Sequence, residues 1–463
     1  MRGLSLVRRM ENQRKGCIKP PQAPWGPRFF GAAAVVLASM LSPGTGAART
    51  WRVPEDAPTI QAAIDSSAAG DDVLVSSGAY REAGIQMKGG IWVHSEHGPN
   101  ATIVDALWAD RVFDCRNVQV AATIEGFEMR NGHAGGGEGY GGGVRCIRSL
   151  LTIRDCVITG CSAEARGGGV DAWQSDLQVE NCRVVQCRAD DGAGIWAEQT
   201  SIGIADCEVS WNEAMGADAG IWADGPEVTI VRSVIVYNLA WCGFTPGIGC
   251  ASPALTIRDC LVAQNRSLEF GGGAVAIYSS AGVISSCTIV DNRGGMNQVW
   301  GLLIEDGSSV SVDRTIIAFQ PDGGGIACGW GTNVSIRCCD IYGNEGGDQI
   351  CGDDLGGNFS EDPLFCDAQN GDYTLDANSP CLPGNHPQGV NCGLIGARGQ
   401  GCGTPPPTGA CCFLDGSCVV AEQHDCEDQH GTYMGDGTTC DPNPCQPTPV
   451  KITTWGRIRA GFR

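Results

Sequence analysis

A short pattern recurs along the middle of the chain, in which a Cys or Ser is followed five positions later by an Asn or a Cys. The first six copies lie 25 to 27 residues apart, and a seventh follows after a longer interval. A fixed period of this length indicates a solenoid, in which each repeat forms one coil and stacks on its neighbours. The copies are Cys156 with Cys161, Cys182 with Cys187, Cys207 with Asn212, Ser233 with Asn238, Cys260 with Asn265, Cys287 with Asn292, and Cys339 with Asn344.

Apolar residues alternate within each repeat, as Leu255, Ile257, Cys260 and Val262 do, and Gly-rich runs precede a second short apolar segment. This alternation is typical of short β-strands and not of helices. Equivalent residues of stacked coils lie about 4.8 Å apart, so inward Asn side chains can hydrogen-bond from coil to coil. The Asn column is therefore predicted to be structural.

This pattern of glycines, an apolar strand and an apolar-x-apolar-x-x-Cys-x-apolar-x-x-Asn strand resembles the right-handed parallel β-helix proteins of the pectin-lyase-like superfamily. The resemblance covers roughly Trp51 to Gly403. The opening from Val53 to Tyr80 is similar to that family's N-terminal cap, in which Thr59 is expected to cap a short amphipathic helix. The stretch from Asp362 to Pro380 is similar to the closing segment of secreted members.

The resemblance implies an all-β fold, a right-handed parallel β-helix of roughly a dozen coils with an N-terminal helical cap. It does not select an activity. The superfamily contains polysaccharide lyases, glycoside hydrolases, adhesins and passive scaffolds, so function has to be argued from a site.

The first 48 residues have a different composition from the rest of the chain. A basic stretch precedes an apolar run from Phe29 to Leu41 and small residues up to Ala48. This order is typical of a signal peptide, which predicts a secreted or cell-surface protein. No other apolar run is long enough to span a membrane. Without residues 1–48 the formal net charge changes from -21 to -27, which disfavours nucleic-acid binding.

Four parts are predicted to follow residues 1–48. They are a solenoid at residues 49–403, a Pro-rich linker at 404–407, a Cys-rich module at 408–446 and a basic, aromatic tail at 447–463. The six Cys of the module predict three disulfides, whose connectivity stays open among fifteen possibilities. The module resembles one attached to secreted bacterial proteins. We expect the tail, which contains Lys451 and Trp455, to dock on the cell envelope.

The Cys of the solenoid repeats allow two interpretations. Stacked residues such as Cys161 and Cys187 would have their Cα atoms within disulfide range, and an exported protein permits disulfides. Alternatively, the column consists of buried thiols that act as small apolar fillers. We favour the second interpretation for Cys156, Cys182, Cys207, Cys260 and Cys287.

Four Gly-rich strands, which begin at Gly143, Gly169, Gly194 and Gly220, align without gaps. Because side chains alternate across a strand, an inward Val or Ile after each glycine places the next residue outward. The outward residues form two neighbouring columns, which together we name the outer face: Arg145, Asp171, Trp196 and Trp222 in the first, and Trp173, Glu198 and Asp224 in the second.

Exposed aromatic rings beside carboxylates suit sugar rings and their hydroxyl groups. Trp173, Trp196 and Trp222 are therefore the predicted polysaccharide-binding residues. In the alternative interpretation, loops between the strands cover these rings, or a register shifted by one residue turns them inward.

The outer face also contains the candidate catalytic residues Glu198, Asp224, Asp171 and Arg145. Carboxylates on adjacent coils would lie about 5 Å apart, and those two coils apart about twice as far, which brackets the separations of retaining and inverting glycosidases. A lyase would instead need clustered Asp with a base, for which Arg145 with Asp171 is the nearest arrangement. The chain shows no convincing hydrolase motif.

No metal site is assigned from the sequence. Asp353 and Asp354, or Asp436, are the candidate calcium ligands, but acidic turns alone do not form a cage. The sequence therefore favours a non-catalytic secreted or surface protein that binds polysaccharide through the outer face, without a cofactor. The alternatives are a polysaccharide lyase or glycoside hydrolase, and an adhesin for a protein partner.

Overall fold

The computed structural model describes residues 47–269, 271–294, 300–403, 408–413 and 415–445. The described chain divides into two compact units. The first comprises residues 47–362 with 395–397, and the second comprises residues 363–394 and those from 398 onward. The predicted linker at 404–407, the tail at 447–463 and all but the last two residues of the predicted signal peptide lie outside the described residues.

The first unit is a parallel β-solenoid, as the repeat predicts. Each regular coil contributes one strand to each of three long sheets, and successive coils pair in parallel. The thirteen strands of the first sheet confirm the expectation of roughly a dozen coils. Six coils add a strand to a fourth, short sheet.

The strands of each sheet follow in chain order. The first sheet contains Thr50–Val53, Asp72–Val75, Trp92–Ser95, Ala122–Glu125, Leu150–Arg154, Asp176–Glu180, Ser201–Ala205, Val228–Val231, Leu255–Arg258, Ala281–Ser285, Ser309–Asp313, Asn333–Arg337 and Asp353–Asp354. The second sheet contains Ile85–Gln86, Phe113–Arg116, Val144–Ile147, Val170–Trp173, Ile195–Glu198, Ile221–Asp224, Ile248–Ala251, Gly273–Tyr278, Trp300–Glu305 and Ile326–Cys328.

The third sheet contains Gly78–Tyr80, Thr102–Asp105, Glu128–Arg130, Val157–Thr159, Arg183–Val185, Glu208–Ser210, Val234–Val236, Leu261–Ala263, Thr288–Val290, Ile316–Ala318 and Asp340–Tyr342. The short sheet contains His133–Ala134, Ser162–Ala163, Arg188–Ala189, Glu213–Ala214, Leu239–Ala240 and Arg266–Ser267. A short 3-10 helix, Gly136–Glu138, lies between two coils.

The interior of the solenoid is a continuous apolar column. Val144, Val170, Ile195 and Ile221 pair with one another in consecutive strands and are all fully buried. Because each such residue packs on its equivalents above and below, burial of this column stabilises every coil through its neighbours.

The Asn column is structural, as predicted. The Nδ2 atom of Asn212 donates to Oδ1 of Asn238 at 2.9 Å, and Asn238 donates in the same way to Asn265 at 2.9 Å. Asn265 continues the ladder to Asn292 at 3.0 Å. These buried amides hydrogen-bond to one another and to the backbone at the bend. Polar groups can be buried at low cost only when they have such partners.

The Cys columns of the repeat are free thiols in the interior. Five of these thiols are buried and form no disulfide, which agrees with the filler interpretation. They are Cys156, Cys182, Cys207, Cys260 and Cys287. Cys161 and Cys187, which stack on adjacent coils, are also free. A disulfide of the first unit joins Cys328 to Cys351.

The segment before the second strand forms the helix Ile60–Ser66. Oγ1 of Thr59 accepts a hydrogen bond from the Ala62 backbone N–H at 3.1 Å, so Thr59 caps the helix as expected. Ile60 and Ile64 bury their side chains in the solenoid core.

The second unit contains two three-stranded sheets. One comprises Phe365–Asp367, Asp372–Asp376 and Gln400–Cys402, with the 3-10 helix Ala368–Asn370, and the disulfide Cys366–Cys402 joins its outer strands. The other comprises Thr408–Cys412, Cys418–Glu422 and Thr432–Asp436, with the helix Gln423–Asp428. The three predicted disulfides of the module are Cys411–Cys426, Cys412–Cys445 and Cys418–Cys440. No helix in the described ranges is long and apolar enough to cross a membrane.

Candidate functional site

The register predicted for the outer face is confirmed. In the second sheet Arg145 lies opposite Asp171, Asp171 opposite Trp196, and Trp196 opposite Trp222. The inward neighbours of these residues are the core Val and Ile residues, so all four side chains leave the sheet on its outer side. The sequence therefore placed these residues in the correct columns.

The exposure expected of Trp222 is not what the structure shows, because neighbouring outward side chains cover its ring, whereas Trp173 and Trp196 are half-buried. Only 5% of Trp222 is exposed. Its ring lies 5.6 Å from that of Trp196 on one side and 6.3 Å from that of Tyr278 on the other. Its strand partner is Gly249, where a Cβ would lie 2.7 Å from the Trp222 ring. The Trp222 ring thus lies along the sheet over Gly249 and does not expose a ring face to a ligand.

The Arg and Asp of the first column are buried in ion pairs. Arg145 donates to both carboxylate oxygens of Asp114, at 3.0 and 2.7 Å. It also pairs with Glu138 at 3.0 Å, and Arg116 donates to the same two acids. Arg145 and Asp114 are almost fully buried, and a bidentate pair of this kind is the arrangement that compensates buried charges.

Asp171 pairs with a different residue, Arg166, which donates to it at 3.1 Å and also binds Glu198. Arg166 lies 5.5 Å from the Trp196 ring centroid, a cation–π contact. Burial raises the pKa of Asp171 to about 7 against the opposing effect of Arg166. Arg145 and Asp171, the pair considered for a lyase, therefore lie opposite each other on adjacent strands, and each forms an ion pair with a different residue.

Two further carboxylates of the outer face are partly open to solvent. Glu198 lies directly opposite Asp224 on the neighbouring strand, and Trp173 lies opposite Glu198 on the other side. Burial is the main cause that raises the pKa of Asp224, and the charge of Glu198 adds to it. Backbone positions on adjacent strands lie about 4.8 Å apart, which is close to the separation of about 5 Å between the carboxyl groups of retaining glycosidases.

The described residues contain a single group of three side chains with metal-ligand spacing, Cys412, Cys418 and Cys445. All three Cys are in disulfides, which removes their thiolates. The acids considered for calcium have local partners: Asp354 accepts from Asn358 at 2.6 Å, and Asp436 accepts from Tyr433 at 2.9 Å. Calcium binding at these acids stays a prediction.

A surface groove on another face of the solenoid combines exposed aromatic rings with polar groups. It has a volume of about 610 Å³ and runs beside the third and short sheets. Its lining residues are Trp108, Gly160, Cys161, Ser162, Gln186, Arg188, Trp211 and Glu213. We name this site the corner groove. Trp108 and Trp211 are 53% and 58% exposed, in clear contrast to Trp222.

The two rings lie at opposite ends of the corner groove. Trp108 follows the strand Thr102–Asp105, and Trp211 follows Glu208–Ser210, four strand spacings further along the third sheet. At about 4.8 Å per spacing, the two positions are about 19 Å apart along the solenoid axis. Gly160 and Gln186 occupy the corners of two intervening coils.

One end of the corner groove is braced by aromatic and polar contacts. Trp211 stacks on Tyr237 of the next coil, with ring centroids 4.4 Å apart. Glu213 accepts a hydrogen bond from Nε1 of Trp241 at 2.8 Å and pairs with Arg188 at 3.0 Å. These contacts fix side chains that would otherwise be free at the surface.

The sequence interpretation missed the corner groove, although the repeat contains a signal for it. The residue before each Asn or Cys column position adopts a left-handed conformation, with φ of 56° at Gln186, 57° at Trp211 and 58° at Tyr237. Such corners favour Gly and Asn, so a bulky ring there is unusual. In Trp211-Asn212 the aromatic residue directly before the column is the exposed one, and this was the signal for the groove.

A comparison with known protein families agrees with the solenoid fold. Residues 111–267 match the family described as "Right handed beta helix region", as the predicted handedness requires. The pectate lyase Pel9A is 12% identical over 77% of this chain and 98% of its own, with a TM-score of 0.41. The catalytic domain of a GH87 α-1,3-glucanase in complex with nigerose is 10% identical over 69% of this chain and 70% of its own, with a TM-score of 0.33.

A third structure, PfbA, a surface adhesin of Streptococcus pneumoniae, is 11% identical over 63% of this chain and 88% of its own, with a TM-score of 0.27. Similarity at this level does not identify a function. No curated protein matches the chain significantly.

Proposed function

We propose that this protein is an extracellular polysaccharide-binding β-helix, and that the corner groove is its binding surface. The observation that carries the proposal is the pair of exposed rings, Trp108 and Trp211, at the two ends of a polar groove. Indole rings offer flat apolar faces to the C–H faces of sugars, and the groups between them offer hydrogen bonds to hydroxyls.

The groove is a better binding surface than the outer face because its rings are accessible. Large exposed aromatic side chains expose apolar area to water, and clusters of them mark interaction sites. By contrast, Trp196 and Trp222 already stack on each other. Binding at Trp173, Trp196 and Trp222 remains the alternative location.

An extracellular location is supported by the disulfides. The bridges between Cys328 and Cys445 include Cys328–Cys351, Cys366–Cys402 and the three of the small module. Such bridges persist in oxidising compartments, and small domains with little core depend on them. The predicted signal peptide at residues 1–48 would deliver the chain there.

The test is the affinity of three single variants for a panel of polysaccharides, measured by isothermal titration calorimetry and affinity electrophoresis. We expect Trp108→Ala and Trp211→Ala each to weaken binding by about tenfold or more. Trp330→Ala is the matched control, because Trp330 is 97% exposed but does not line the groove. Unchanged binding by both groove variants together with loss in Trp196→Ala would move the site to the outer face.

A glycoside hydrolase is the second candidate, because Glu198 and Asp224 lie opposite each other on adjacent coils. A raised pKa, as at Asp224, suits a general acid. New reducing ends that disappear in Glu198→Gln but persist in Glu208→Gln would support catalysis. If no polymer yields reducing ends, the hydrolase candidate is eliminated and the binding proposal is unaffected.

A further inference from the structure

We infer that the corner groove selects an uncharged polysaccharide, bound in extended form along the solenoid axis, over an anionic one. The inference rests on the proposed function, and it adds the class of ligand. It is carried by the way the charges in the groove neutralise each other.

The groove lining contains two charged side chains, Arg188 and Glu213, and they pair with each other. They face each other on adjacent strands of the short sheet, with Nε and Oε2 3.0 Å apart. Glu213 is held further by Nε1 of Trp241. The Arg188 side chain is 74% exposed, so a ligand carboxylate can reach its guanidinium, but it meets a positive charge that Glu213 already compensates.

The other polar groups of the lining are neutral. Ser162 and Gln186 offer a hydroxyl and an amide, which donate to and accept from sugar hydroxyls without a preference for charge. Because the backbone positions of Trp108 and Trp211 are about 19 Å apart along the axis, we expect a ligand that contacts both rings to lie lengthwise. These features together describe a site for several consecutive neutral sugar units.

Charges beside the groove are neutralised in the same way. Arg183 pairs with Glu208 at 2.8 Å on the adjoining strands of the third sheet. The chain as a whole carries a formal net charge of -21, which repels a polyanion at long range. Neither the local nor the overall field therefore favours a uronate polymer.

The experiment compares one polymer in two charge states, homogalacturonan fully methyl-esterified and the same preparation after de-esterification. Binding of both forms to the protein without the predicted signal peptide, residues 49–463, is measured at low and at high ionic strength. We expect the esterified form to bind and the acid form to bind at least about fivefold more weakly at low salt. Added salt should narrow the difference, because it screens the repulsion.

Glu213→Gln unpairs Arg188 and keeps an acceptor for Trp241. In this variant the ratio of the affinity for the esterified form to the affinity for the acid form is expected to fall about fivefold or more. The reason is that the guanidinium of Arg188 is no longer compensated by Glu213. Asp206→Asn is the matched control, since it frees Arg232, whose pair with Asp206 does not line the groove, and the preference of this variant should equal that of the wild type.

The outcomes separate the two proposals. If the wild type binds the acid form as tightly as the esterified form, and Trp211→Ala abolishes both, the groove binds polysaccharide but the inference on charge is wrong. If the wild type binds neither form and no neutral oligosaccharide, the proposed function fails and the inference falls with it.

Discussion

The ring of Trp211 lies flat on the ring of Tyr237, with centroids 4.4 Å apart and planes inclined by 12°. Tyr237 belongs to the next coil along the axis, so it supports the side of Trp211 that faces away from the corner groove. Trp211 and Gln186, which lies on the preceding coil, both line the groove. The coil spacing of a β-solenoid is what makes such stacking between equivalent corners possible.

Tyr237→Ala should weaken polysaccharide binding although Tyr237 does not line the groove. Loss of the stacking partner removes about 0.5 to 1.5 kcal/mol of ring contact and frees Trp211 to rotate, so we expect a loss of affinity of about three- to tenfold. Titration calorimetry provides the measurement. Tyr237→Phe keeps the ring and should bind as the wild type does. Equal weakening in both variants would contradict a positioning role for the ring.

Much of the fold follows from the sequence because the solenoid is defined by a local period. The repeat spacing determines the register, so the inward positions of Val170 and Ile195 and the ladder from Asn212 to Asn238 could be predicted without long-range information. The columns of the outer face followed from the same register.

What could not be predicted is how the outward side chains lie once they leave the sheet. Trp222 is covered because its strand partner, Gly249, leaves room for the ring to lie flat, and because Tyr278 meets it from two coils away. The partner choice of Arg145 depends on Asp114, which precedes it by a full coil. Alternation tells which side a residue faces but not what covers it.

Asn238→Ala is expected to destabilise the solenoid strongly. Its Nδ2 donates to the Val209 carbonyl at 2.9 Å, and its Oδ1 accepts from the backbone and the side chain of Asn212 at 3.1 and 2.9 Å. Truncation leaves several buried polar groups without partners, at about 1 to 3 kcal/mol each, so the loss should be about 3 kcal/mol or more. Urea denaturation measures this loss.

The control for Asn238→Ala is Asn333→Ala, because Asn333 is exposed and makes one long side-chain contact, 3.4 Å to Ser309. Its effect on unfolding should stay within about 0.5 kcal/mol. Similar effects of the two substitutions would mean that the buried ladder contributes no more than a surface amide.

The repeat thiols should be inaccessible in the native protein and free after denaturation. Cys156, Cys182, Cys207, Cys260 and Cys287 are at most 3% exposed and unbonded. Iodoacetamide followed by peptide mass mapping should therefore modify none of the five in the folded state and all of them after denaturation without reductant. Module cysteines such as those of the Cys411–Cys426 bridge should stay unmodified in both samples. Absence of label from all five in the denatured sample would show that they are oxidised.

The raised pKa of Asp171 predicts that folding stability falls as the pH rises from about 4 to about 7. Burial raises this pKa from 3.8 to about 7, so within that range the unfolded chain releases a proton that the folded protein retains. The stability gained from the protonated carboxyl is fully present below about pH 4 and is lost as the pH passes the folded pKa.

Asp171→Asn removes this titration while it keeps the shape of the neutral carboxyl group. The free energy of unfolding of the variant, minus that of the wild type, should increase by as much as about 4 kcal/mol between about pH 4 and pH 7. Each unit of pKa shift corresponds to about 1.4 kcal/mol. Urea unfolding of both proteins across this pH range gives the difference directly. A constant offset between the two proteins would mean that Arg166, which donates to Asp171 at 3.1 Å, keeps the carboxylate ionised in the folded state throughout. A difference that grows with pH would instead show that burial outweighs the ion pair, and would make Asp171 a group that takes up a proton on folding near neutral pH.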